Sequence, residues 1–201
     1  MKSKTWALVG ALLMLSAAAL AAGCGSSDES SSSAAEAAGN PTDRAFVAEM
    51  VPHHRSAVEM ADVAKMEATS SFVKQLAADI TKSQNAEIEQ MQRVDAKLAK
   101  AGIKKGDLGM DSHMMGMEMS ADELRGAKPF DAKFIELMVP HHEGAIAMAR
   151  AELAKGANPE LKKLAQDIIA AQQREVKEMR AHGKGTPDDE MEGMDSEHEA
   201  G

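Results

Sequence analysis

The fold is decided by a stretch that occurs twice, Phe46-Val-Ala-Glu-Met-Val-Pro-His-His-Arg-Ser-Ala-Val-Glu-Met-Ala61 and Phe134-Ile-Glu-Leu-Met-Val-Pro-His-His-Glu-Gly-Ala-Ile-Ala-Met-Ala149. The spacing is 88 residues and holds without a gap into the following segment, so that Leu76, Asp79, Ile80, Gln84, Glu87 and Met91 meet Leu164, Asp167, Ile168, Gln172, Glu175 and Met179. In all, 17 of the 46 aligned pairs are identical, which is what a duplicated supersecondary unit leaves behind. Each copy carries Met-Val-Pro-His-His with a further Met after the pair.

Phe46, Met50, His53, Ala57, Met60 and Ala61 recur at three- and four-residue steps, so they share one face of a helix. That helix is expected from about residue 42, capped by Thr42 or Asp43, to Glu67. Pro52 and Pro140 each lie inside such a pattern and predict a kink just before the His pair. A second helix is expected over Ser71–Lys100, stopped by Ala101-Gly102. Its stripe of Phe72, Leu76, Ile80, Ile88 and Met91 places Gln84 and Glu87 on or beside the buried side. The second copy repeats this as Pro129–Lys155 and Pro159–Ala181, divided by Gly156-Ala-Asn-Pro159. Neither hairpin can cover its own apolar stripe, so the expected fold is all-α, a four-helix bundle of two duplicated hairpins.

The flanks read differently. Residues 1–23 have a basic start and an apolar run that ends Leu20-Ala-Ala-Gly-Cys24, the form of an exported leader. The Ala-Gly-Cys ending resembles the bacterial lipobox, which implies acylation of Cys24, the single cysteine, and anchoring to the membrane on its periplasmic or extracellular side. Residues 24–41 form a Ser/Ala/Gly tether. The bundle is expected over 42–182: repeat one at 42–101, a linker at 102–128 and repeat two at 129–182. Residues 183–201 read as a disordered acidic tail holding Met191, Met194 and His198. The formal charge of −9, −11 once the leader with Lys2 and Lys4 is gone, argues against nucleic acid as a partner.

Methionine is the compositional anomaly, 16 residues against 2% aromatics. At helical spacing Met is commonly core, and Met91 and Met179 can be read so. The linker run Met110-Asp-Ser-His-Met-Met-Gly-Met-Glu-Met119 is no helix face, and it reads as a mobile loop with its thioethers in water. There the sulfurs gain nothing from burial and are open to oxidation; recruiting soft Cu(I) or Ag(I) gives Met110, His113, Met114, Met115, Met117 and Met119 a purpose. The internal twofold would bring His53-His54 and His141-His142 toward one another. Met50 and Met60 can cover the same patch as His53, and Met138 and Met148 the same patch as His141. Glu87 and Glu175 can ligate a metal or orient an imidazole.

Together these residues resemble domain-of-unknown-function family 305, whose marks are Met-x-Pro-His-His and Gln-x-x-Glu-hydrophobic-x-x-Met. They stand here at Met50 to His54 with Gln84 to Met91, and at Met138 to His142 with Gln172 to Met179. The resemblance covers about residues 42–182. It implies a secreted, ferritin-like helical protein, and periplasmic copper-binding relatives imply copper handling. The expectation is thus a lipid-anchored protein that sequesters or buffers Cu(I) or Cu(II), with silver as a further ligand, iron a weaker one, and a copper-exchange protein as a partner. A ferritin-like oxidoreductase is the first alternative. Di-iron bundles carry a Glu-x-x-His on each of two helices, and neither hairpin has one, so no enzyme is expected. A helical interaction lipoprotein without metal is the second alternative.

Overall fold

The computed structural model describes residues 38–183. The leader, Cys24, most of the tether and the tail from residue 184 lie outside them. The fold is four α-helices, α1 Pro41–Glu67, α2 Ser71–Lys100, α3 Phe130–Lys155 and α4 Pro159–Gly183, with a single 3-10 turn at Ala121–Glu123 in the linker. No strand occurs among the described residues. α1 packs on α2 and α3 on α4, and the two hairpins are joined mainly through α1 against α3.

The helix ends follow from local chemistry. α1 is capped by Asn40, whose side chain accepts from the Thr42 and Asp43 amides while Asp43 accepts in return from the Asn40 amide. The expected cap at Thr42 or Asp43 is therefore corrected. A Pro at the first helical position needs no N–H partner, so the helix can begin one residue earlier. α2 begins after Ser70, which accepts from Val73. It ends with Gly102 at φ +82, where the Gly102 amide reaches the Ala99 carbonyl and the Ile103 amide the Leu98 carbonyl. This double closure needs a left-handed residue, which glycine adopts without strain. α1 and α3 run unbroken through Pro52 and Pro140. α3 starts at Phe130 rather than Pro129, and α4 reaches Gly183.

The internal symmetry is carried by matched contacts. Asp43 of α1 accepts from the Ala157 and Asn158 amides at the start of α4 (3.0 and 2.8 Å). Asp131 of α3, 88 residues on, accepts from the Thr69 and Ser70 amides at the start of α2 (3.0 and 2.7 Å). Each hairpin's first helix thus caps the other hairpin's second helix. The carboxylate sits where helix N-termini favour negative charge, and its hydrogen bonds to Thr69 and Ser70 hold Asp131 below the usual carboxylate range despite partial burial.

Two core clusters are images of each other under the same shift. One gathers Met50, Met91 and Met148 around Phe46, Leu161 and Ile168; the other gathers Met138, Met179 and Met60 around Phe134, Val73 and Ile80. All six methionines are fully buried. Met50 shares its cluster with Met148 and Met60 shares its own with Met138, so α1 and α3 cross antiparallel with the His pairs between the clusters.

A candidate metal centre at the α1–α3 crossing

His53, His54, His141 and His142 are all inaccessible to solvent. The inner pair, His53 and His141, come from opposite hairpins, and their ring centroids are 3.7 Å apart at an interplanar angle of 32°. No ring nitrogen of either has a hydrogen-bond partner. Burial drives the His53 ring down to about 3, helped by the nearby His54 and His142, although the His141 and Met115 carbonyls approach closely enough to offset a little of this. His141 is lowered well below the ordinary value, first by burial and then by His53. Both rings are neutral at physiological pH, so each keeps one nitrogen lone pair free.

The outer pair is held by carboxylates. His54 Nε2 lies 2.7 Å from Glu87 Oε2, and His142 Nε2 lies 2.6 Å from Glu175 Oε2. A carboxylate oxygen accepts, so Nε2 is the donor in each pair and Nδ1 is the nitrogen left over. That nitrogen is buried and unpartnered in both residues. An imidazole oriented by an acidic side chain through one nitrogen and offering the other is the usual support for a metal ligand. The geometry therefore makes Glu87 and Glu175 positioning residues on the outer imidazoles.

One turn before each Glu stand Gln84 and Gln172, buried, with Gln84 Oε1 and both amide atoms of Gln172 unpartnered. A buried polar atom without a partner costs about 1–3 kcal/mol, and native interiors leave few of them. Here six imidazole nitrogens are left on α1 and α3, and three amide atoms on α2 and α4 one turn before the carboxylates that hold the outer rings. Such a concentration is what a site for a bound ion or water leaves when only protein atoms are counted.

The methionines are distributed differently from the sequence expectation. Met50 and Met60 do not cover one patch beside His53, nor Met138 and Met148 one patch beside His141. Ten residues of helix separate each couple by about 15 Å, and the members fall in opposite cores. The thioethers pair across the repeats instead, and Met91 and Met179 join them. Among the described residues no three His, Cys, Asp or Glu side chains form a ligating group. Thioether sulfur from the flanking cores is a donor class outside that set, and imidazole with thioether suits soft or borderline ions.

The linker is also corrected. Met115 is buried and Met110, Met117 and Met119 are half-buried, while Met114 is exposed, as is His113 beside Glu118. The thioethers are thus only partly in water. The segment closes on itself through Met115 to Asp111, Gly116 to His113 and Met117 to Ser112 main-chain bonds. It then packs on the α1–α3 crossing, where Ser56 Oγ donates to the Met119 carbonyl (3.0 Å).

Comparison with known proteins bears on this arrangement. The profile of the family described as Domain of unknown function (DUF305) matches residues 43–182, with a second match over 16–95. The chain belongs to the DUF305 family. Among solved structures it is similar to CopM in its Cu(II)-bound form, at 34% identity and a TM-score of 0.62, covering 71% of this chain and 95% of CopM. CopM is also known in Cu(I)-bound and silver-bound forms, at 33% and 32% identity. A DUF305 fragment from Deinococcus radiodurans is 31% identical with a TM-score of 0.57, over 72% of this chain and 97% of that one. Protein L153 of Acanthamoeba polyphaga mimivirus is 39% identical over 51 residues, which span 25% of this chain and 34% of that protein.

Proposed function

We propose that this DUF305 protein is a copper-binding protein that sequesters or buffers Cu(I) or Cu(II) outside the cytoplasmic membrane, held there by a lipid on Cys24. One observation carries the reading: four buried imidazoles offer unpartnered nitrogens between two methionine-bearing cores. Likeness to a protein solved with copper and with silver supports the same donor chemistry. His53, His141, His54 and His142 would supply nitrogen. Met50, Met91 and Met148 on one side, and Met60, Met138 and Met179 on the other, would supply sulfur. The linker residues Met110, His113, Met114, Met115, Met117 and Met119 form an outer set of soft donors. Export is supported by the leader; among the described residues no helix is long and apolar enough to cross a membrane.

The protein is proposed to hold metal without turning it over. Di-iron oxidation requires several inward carboxylates, and the carboxylates at the crossing, Glu87 and Glu175, are each committed to an imidazole. Titration of Cu(I) against a chromogenic chelator tests the reading. The quadruple Ala variant at His53, His54, His141 and His142 is expected to lose the tight site while the linker keeps weaker binding. Equal affinity in the two proteins would rule out the bundle site.

A further inference from the structure

The four imidazoles are sealed from solvent, and what seals them on one side is the linker, the one part of the fold that the duplication did not copy. Gly144, on the turn after His142, carries no side chain, and a Cβ there would overlap the Met115 carbonyl. The left-handed Gly116 (φ +69) lies flat on the turn that holds His141, and a Cβ on it would come within 3.0 Å of the Pro140 carbonyl oxygen and 3.2 Å of the His141 Cα. In the other repeat the position of Gly144 is taken by Ser56, and its hydroxyl binds the Met119 carbonyl. One helix of the crossing thus makes room for the linker and the other ties it down. Among the described residues this bond and the approach of the Met115 carbonyl to His53 are the polar ties of residues 107–119 to the helices. Beyond that the segment is held by apolar burial, with Leu108 and Met115 in the core cluster of Met50 and Met91, so its opening is a local event that draws these two side chains out while the helices stay packed.

We propose that residues 107–119 form a lid over the His53–His141 pair, which a cation lifts to reach the ring nitrogens. Met114 and Met115 are neighbours on either side of this lid, the first exposed and the second buried against the crossing. The lid's soft donors therefore stand at the entrance rather than in a separate store. The inference rests on the copper-binding reading of the imidazoles, but whether the lid opens can be measured without metal.

The test uses the mature chain, metal-free, with diethyl pyrocarbonate as a probe for accessible neutral imidazole, the modified residues being mapped by peptide mass spectrometry. In the wild type, His53 and His141 should react far more slowly than exposed His113. Ser56→Ala removes the tie, and losing one hydrogen bond should raise the open population and the labelling rate of both inner rings by roughly twofold to tenfold. Gly144→Ala displaces the Met115 main chain and should act in the same direction. Helical circular dichroism identifies a variant that has failed to fold, and the two variants guard one another against that outcome. Stopped-flow transfer of Cu(I) from a chelator should accelerate in step with labelling. Unchanged labelling in both variants, or inner rings as reactive as His113 in the wild type, overturns the lid. Faster labelling with unchanged Cu(I) capture overturns its role as the entrance. If the quadruple His variant binds Cu(I) like the wild type, the copper reading fails while the labelling result stands by itself.

Discussion

Replacing His53 and His141 together by Leu should make the metal-free protein more stable. Each neutral imidazole brings one donor and one acceptor, and no ring nitrogen of either makes a well-formed hydrogen bond, the His141 and Met115 carbonyls only approaching His53. At the low end of about 1 kcal/mol for each orphaned group, the four atoms cost about 4 kcal/mol. Leu is close in size, so refilling the space between stacked rings should lose only about 1–2 kcal/mol through imperfect packing. The net gain is then about 2–3 kcal/mol, which for a domain of this size raises Tm by roughly 6–10 °C. The assay is thermal unfolding followed by far-ultraviolet circular dichroism at neutral pH with a chelator present. Added copper should then raise the wild-type Tm, because the four imidazoles are assembled into one site only in the folded chain, and should do so less in the double variant. A metal-free double variant no more stable than the wild type would refute the reasoning, since the rings would then be satisfied structural groups.

Three further outcomes follow from the same geometry. Glu152 is fully buried beside Asp43, and burial, then its interaction with the Asp43 carboxylate, pushes it up to about 8. The folded chain therefore holds a proton that the unfolded chain releases above its ordinary value of 4.5. Stability should fall as pH rises toward 8, by at most about 1.4 kcal/mol per pH unit. His53 acts with opposite sign between about 3 and its ordinary 6.5, so Glu152→Gln should be compared with the wild type above 6.5, where urea unfolding should show the slope flattened. Glu87→Ala and Glu175→Ala should each weaken Cu(I) binding by roughly 10- to 100-fold, with Glu→Gln losing less because an acceptor for Nε2–H is kept; chelator competition reads both. Asp131→Ala strips the cap from the Thr69 and Ser70 amides and should lower stability by about 1–2 kcal/mol in urea unfolding, an effect confined to folding and absent from copper affinity.

Much of this was legible in the chain because it is written twice. The repeat at 88 residues implied two hairpins, and Ala101-Gly102 marked the end of α2 through its own capping chemistry. The approach of the two His pairs followed from the twofold alone, while the facing of His53 and His141 is set by how α1 and α3 cross. The partition of the methionines did not, because periodicity places residues on a face without saying which stretch of the facing helix each will meet. An antiparallel crossing sends Met50 to Met148 rather than to Met60. Asp43 and Asp131 are identical under the shift, yet their exchange across hairpins depends on where the α1 and α3 N-termini dock. Asn40 rather than Thr42 or Asp43 caps α1 because Pro41 fits the first helical position, where its missing N–H costs nothing. The linker misled for a physical reason: lacking any period, it carried no signal of what it packs on. Gly144, a glycine in mid-helix where Ser56 stands in the other copy, was the visible trace of that contact.

The most direct test is X-ray absorption at the copper edge on Cu(I)-loaded protein in which Met110, Met114, Met115, Met117 and Met119 are all replaced by Leu, so that only the bundle can bind tightly. Imidazole nitrogen and thioether sulfur in one coordination shell is the expected result. A shell lacking sulfur, or the same spectrum after His53, His54, His141 and His142 are replaced by Ala, would contradict the account.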